Sequence, residues 1–217
     1  FKVNFAGAVA TTITQDTDVP NETFHSSLKI DITTADASLA AGDFFALTYN
    51  IEGLDAVPLA FGTSDAQTFT LSFWVKSPKT GTHSVGLRNN AVDRGYAATY
   101  SVSSADTWEK KSINITADTT GTWLITNGAG VVLSFMLASG STFHASADDT
   151  WEGANVFASS SQVNCLDNTA NNFFITGVQL EVGSAASDFE HRDYATELAR
   201  CQRYFLNITG ESIGIMY

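Results

Sequence analysis

From residue 8 to about 190, large apolar residues alternate with polar ones and do not recur at three- or four-residue spacing. That period of two is the mark of strands with one face on a core. It predicts strands near 9–15, 27–33, 43–52, 67–77, 82–89, 94–102, 107–116, 130–138 and 173–182. Turn-forming residues separate nearly all of them, among them Ala40 to Gly42, Ser77-Pro78-Lys79-Thr80-Gly81 and Asn127-Gly128. Many short strands at such spacing predict an all-β, antiparallel jelly-roll sandwich.

The stripes are clearest at Phe69, Leu71, Phe73 and Val75, at Val131, Leu133, Phe135 and Leu137, and at Phe174, Thr176, Val178, Leu180 and Val182. Across the Pro78 turn, His83, Val85 and Leu87 keep odd parity. A hairpin pairing Phe73 with Val85 and Leu71 with Leu87 buries both stripes together, whereas a one-residue slip turns the core outward. Residues 53–61, apolar and carrying Pro58, read as a helical turn or packed loop, and 139–172 as a long loop capping one end of the sandwich. After Glu190 the period changes: Tyr194, Leu198, Cys201 and Phe205 recur at helical spacing and Asp193 is placed to cap the start. The division expected is a sandwich over 1–190, a short helix over 191–206, and a tail or start of a further segment over 207–217.

Composition narrows the function. With 23 acidic against 11 basic residues and a net charge of −12, the chain lacks the clustered cations of a nucleic-acid groove or an anionic-membrane surface. No apolar run reaches the ~18–20 residues of a membrane span, and the first residues do not form a signal peptide. The absence of an initial Met suggests an excised or mature fragment. Cys165 and Cys201 fall in different elements and read as free thiols, with a disulfide as the alternative. The Asn-x-Thr triplets at Asn21, Asn114 and Asn207 matter only in a eukaryotic secretory route.

The segments Leu71-Ser-Phe-Trp-Val-Lys-Ser77, Ile175-Thr-Gly-Val-Gln-Leu-Glu-Val-Gly183, Phe189-Glu-His-Arg192 and Glu197-Leu-Ala-Arg-Cys-Gln-Arg-Tyr-Phe205, in that order, resemble a family of phage tail-fibre and tail-associated proteins. That family has jelly rolls like those of carbohydrate-binding modules. The resemblance runs from about Thr12 to Phe205, opening at Ile13-Thr-Gln-Asp-Thr-Asp-Val-Pro20, and the lead-in over residues 1–9 is shorter than the family's. It implies a virion protein on a tail fibre or capsid surface, assembled in the bacterial host cytoplasm, oligomeric, and without catalysis by this domain. It carries over no binding residues. Three functions follow as expectations: a receptor-binding or spacer domain recognising a host-surface glycan, a capsid decoration or head fibre, and a glycan-degrading tailspike domain.

The residues themselves offer little catalytic chemistry. His25, His83, His144 and His191 stand singly without zinc-ligand spacing, and there is no nucleophile elbow, phosphate loop or dinucleotide fingerprint, so neither catalytic residues nor a cofactor is expected. The acidic pairs Asp148–Asp149 and Asp16/Asp18 read as solvated loop charges, with an acid–base pair or a Ca²⁺ loop as the sharper alternatives. Glu190, His191 and Arg192 read as a polar latch between the last strand and the helix. For binding, Trp74 is the exception on its strand's polar face. In the hairpin register it lies over Ser84 and Gly86, an open ring on which a sugar can stack, with Lys76 and Arg88 to bond hydroxyls and Tyr96 and Tyr100 on the next strand. The alternative is that a loop, the helix or a neighbouring subunit covers it. Leu198, Cys201 and Phe205 form the candidate interface of a homotrimer, or else pack on the chain's own sandwich.

Overall fold

Ten strands form, β2 to β10 where the alternation places them: β1 (Lys2–Ala6), β2 (Ala10–Asp16), β3 (Ser27–Thr34), β4 (Phe44–Glu52), β5 (Phe69–Lys76), β6 (Gly81–Asn89), β7 (Gly95–Val102), β8 (Glu109–Ile115), β9 (Ala129–Ser139) and β10 (Asn172–Val182). They come from a computed structural model that describes residues 1–204. Phe205 and the 207–217 tail lie outside the described residues. Two five-stranded antiparallel sheets stack face to face, with orders β1-β4-β9-β6-β7 and β2-β3-β10-β5-β8. Their inward stripes make one core: Phe69, Leu71, Phe73 and Val75 face Val85, Leu87, Leu133 and Phe135, all at most 2% exposed. The fold is the expected jelly-roll sandwich followed by one short helix.

Three local expectations are corrected. β1 is a strand that the short lead-in conceals, and it pairs with β4 at the edge of the first sheet. β5 and β6 are not a hairpin, because β5 pairs with β8 and β10 while β6 pairs with β7 and β9. The short link between them crosses from one sheet to the other. It is anchored by buried Ser77, whose hydroxyl donates to the Asn172 carbonyl and accepts from the Lys79 N–H. Shared parity cannot separate strands that pair side by side from strands that face each other across a core, and these face each other. Lastly, the β10 stripe changes parity midway. Phe173 and Ile175 point inward and Phe174 outward, while Val178 and Leu180 point inward again. The extra residue is taken up in a bulge at Gly177, whose φ of +59° lies in the left-handed region.

The 53–61 segment forms helix α1 (Gly53–Ala56) and a 3-10 turn, Val57–Leu59. In the long 140–171 segment Phe143 and Phe157 pack on Ala46 and Met136 on the outer face of the first sheet, while Trp151, Val163, Cys165 and Leu166 pack into the core between the sheets. The Phe157 backbone comes so close to Gly86 that a Cβ there would lie 2.3 Å from its carbonyl oxygen. Residues from Ser187 onward belong to a second unit, which carries α2 (Tyr194–Tyr204). Asp193 caps this helix as expected: the Thr196 N–H donates to its Oδ1 at 2.9 Å. The hydroxyl and N–H of Thr196 hold the Asp193 carboxyl below its ordinary pKa. Arg192, from the expected latch, pairs with Glu197 in the first turn at 3.6 Å.

Candidate functional site

Trp74 projects from the C-terminal half of β5 on the outer face of the second sheet, as its parity requires, and is half-buried. Its cross-strand neighbours are Thr176 on β10 and Lys110 on β8, where the hairpin register had placed Ser84 and Gly86. One edge of the indole runs past the Gly177 bulge, where a Cβ would come within 3.3 Å of Trp74 Cδ1 and 2.8 Å of the Phe24 ring. Phe24 belongs to the 17–26 loop, which folds onto this face through Thr176 Oγ1 donating to the Ser26 carbonyl and Ser27 Oγ to that of Asp18. The loop therefore walls one side of the ring. Lys110, on the other side, is exposed and makes no salt bridge among the described residues.

The other residues expected around this ring are elsewhere or already engaged. Lys76 shares the face but is 9% exposed. Its ammonium pairs with Asp18 and sits over Phe174 at 4.2 Å and Trp108 at 5.6 Å. Trp108 Nε1 also donates to Asp18, at 2.8 Å. Asp18, held below its usual pKa by Lys76 and then Trp108, is thus an ion-pair partner and not the solvated loop charge expected. Thr70, on the same face, is fully buried, and its hydroxyl donates to the Gly183 carbonyl at 2.8 Å and lies 2.9 Å from the Asn114 side-chain amide.

Arg88 is on the outer face of the opposite sheet, because β6 and β5 belong to different layers. Tyr96 and Tyr100 lie between the sheets, Tyr96 against Trp151 at 4.9 Å and Tyr100 against Phe73 at 5.1 Å. Burial raises the pKa of both phenols, that of Tyr100 well above the usual value. The structure brings together only Trp74 and Lys76 of the five candidates. Lys110 was missed, since only the β5–β8 pairing puts it beside the indole.

The acidic pairs give no converging dyad. Asp148 accepts from Ser159 Oγ at 2.8 Å, while Asp149 takes φ +60° with its N–H on the Ala97 carbonyl. Burial, and then Asp148, raise the Asp149 pKa. Among the described residues no three His, Cys, Asp or Glu side chains group as metal ligands do. Both cysteines are free thiols, and Cys165 is buried.

No family model and no curated protein matches the chain. Solved structures are similar to it in fold. The enzymatically active domain of a tailspike protein of bacteriophage CBA120 is 16% identical with a TM-score of 0.44, over 83% of this chain and 19% of that one, so this chain spans about a fifth of its length. A family 11 carbohydrate-binding module of a cellulosomal cellulase from Clostridium thermocellum is 8% identical with a TM-score of 0.43, over 86% and 89% of the two chains. A xylan-binding domain from Paenibacillus barcinonensis is 12% identical with a TM-score of 0.37, over 85% and 87%. These are likenesses of fold, to the antiparallel sandwich described above.

Proposed function

We propose that this chain is a non-catalytic adhesion domain of a phage tail fibre that recognises a host-surface glycan at Trp74. The observation that carries the reading is the outward indole on β5, one strand in from the edge of the second sheet, half-buried and set beside Lys110, which makes no salt bridge among the described residues. An aromatic face takes the C–H side of a sugar ring, and Lys110 is placed to bond its oxygens. Asp18, the nearest carboxylate considered for catalysis, is held ionised by Lys76 and Trp108 and is therefore a poor proton donor at neutral pH. The sequence resemblance supports the fibre assignment.

The test is Trp74→Ala, read by adsorption to host cells or their extracted polysaccharide and by melting temperature. Adsorption should fall at least ~10-fold, with a stability loss below about 2 kcal/mol, roughly half of what deleting a fully buried Trp costs. Unchanged adsorption would overturn the site, and so would a loss of ~3–5 kcal/mol, which would make the ring core. Release of reducing ends from the polysaccharide would overturn the non-catalytic reading.

A further inference from the structure

In the sandwich, Lys29, Lys76, Lys79, Arg94 and Lys111 each sit against a carboxylate. Arg88 does not, in a chain with 23 acidic residues. Its guanidinium lies 4.2 Å over the Phe157 ring, and Nη1 donates to the Asn155 side-chain oxygen at 2.7 Å. Its Nε is buried with no hydrogen-bond partner. Burial lowers the Arg88 pKa, with no counter-charge acting against it. A desolvated cation held by a ring and one amide keeps most of its five-donor fork unspent, and that fork matches a carboxylate.

The surroundings extend the site. Cross-strand register sets Arg88, Val132 and Asn50 in one row on the outer face of the first sheet, on β6, β9 and β4. In the adjacent row Gly86, Ser134 and Thr48 are buried, with the Phe157 backbone against Gly86, and Lys2, on β1, is the residue of that row that reaches solvent. Lys2 is exposed and, like Arg88, makes no salt bridge among the described residues. From β6 to β1 is three inter-strand steps, about 14 Å at ~4.8 Å each. Thr48 and Ser134 are buried and satisfy each other at 3.3 Å, so the polar groups open to a ligand are the exposed Asn50 amide and the NH2 of Asn155, whose oxygen already accepts from Arg88. An amide both donates and accepts, as sugar hydroxyls do. Val132 is the large apolar side chain along these rows, too little for the hydrophobic anchor that a protein partner needs.

We infer that the outer face of the first sheet holds a second saccharide site, in which Arg88 receives the carboxylate of an acidic sugar and the open row through Val132 to Asn50, with Lys2 beside its end, takes the neighbouring rings of a polyuronate. The site is on the opposite face from Trp74 and stands independently of that assignment. The chain's net charge of −12 repels polyanions in general, so binding of one reports a local site and not ion exchange.

The experiment titrates the full chain with oligomers of polygalacturonate, alginate and hyaluronate, and with the same oligomers after reduction of their carboxyl groups to alcohols. At least one native oligomer should bind and its reduced form should bind at least ~10-fold more weakly. Arg88→Gln should remove that difference, and Arg88→Lys should weaken binding, because a point charge cannot reproduce the fork. Lys2→Ala, at an exposed position, keeps the test independent of any folding defect at Arg88 and should weaken only the longer oligomers. Trp74→Ala should leave polyuronate binding intact, which separates this site from the other. Failure of all three native oligomers to bind, equal binding of the reduced forms, or loss through Trp74→Ala with retention in Arg88→Gln would each overturn the inference.

Discussion

His83 is fully buried on β6, stacked on Tyr100 with ring centroids 5.4 Å apart, with Nε2 2.9 Å from the Lys79 carbonyl and Nδ1 3.7 Å from Cys165 Sγ. Both contacts fit a neutral ring: Nε2–H donates to the carbonyl and the thiol donates to Nδ1. Burial pushes the Cys165 thiol up to about 12, so it stays protonated and unreactive. Burial also lowers the His83 pKa, outweighing the opposing pull of the Lys79 carbonyl. The folded state therefore binds this proton less readily than the unfolded chain does. Stability is full above the ordinary histidine value near 6.5 and falls as pH drops from there toward the depressed folded value. We expect the melting temperature to fall as pH drops below about 6.5, and His83→Leu to flatten that part of the curve. An identical slope in the variant would assign the acid sensitivity to other groups.

At the scale of elements, the bulge in β10 matters most for the site. Gly177 lets the strand keep Ile175 in the core before it and Val178 in the core after it, and leaves the gap that the Phe24 ring and the Trp74 edge fill. Gly177→Ala puts a side chain into left-handed backbone, at about 1–2 kcal/mol, and pushes on both rings. For a chain of this size each kcal/mol lowers the melting temperature by about 2–4 °C. We expect such a drop together with weaker glycan adsorption. Unchanged melting would show that the bulge relocates at no cost. The inter-sheet link after β5 was read as a hairpin because its turn residues and parity suit one equally well. Separating the two readings requires knowing that β8 and β10 had already taken both edges of β5.

For the whole molecule we propose a homotrimer, built through α2. An 11-residue helix is marginal alone in water, and Leu198 and Cys201 share one of its faces. Phe205, the third residue of that stripe, lies outside the described residues. Light scattering should find the intact chain trimeric at micromolar concentration and a chain ending at Arg192 monomeric. A monomeric intact chain would refute the assembly, and a trimer that persists without the helix would move its interface to the sandwich.

The period of two, read residue by residue, was enough to predict nine strands and the sandwich class, and its change to helical spacing after Glu190 the helix that Asp193 caps, because each of these depends on local backbone preference and on which side of an element is apolar. It also placed Trp74 outward. Parity says which side a residue faces and not which strand lies beside it. Arg88 and Trp74 therefore looked like neighbours, although they occupy opposite outer faces, and Tyr96 and Tyr100 looked available although the core holds them. Lys110 beside the indole, Asp18 on Lys76, and Arg88 on Asn155 without a carboxylate depend on pairings between residues 36, 58 and 67 positions apart in the chain. Those long-range partners are selected by how the sheets stack and what the loops cover, so only the tertiary structure decided them.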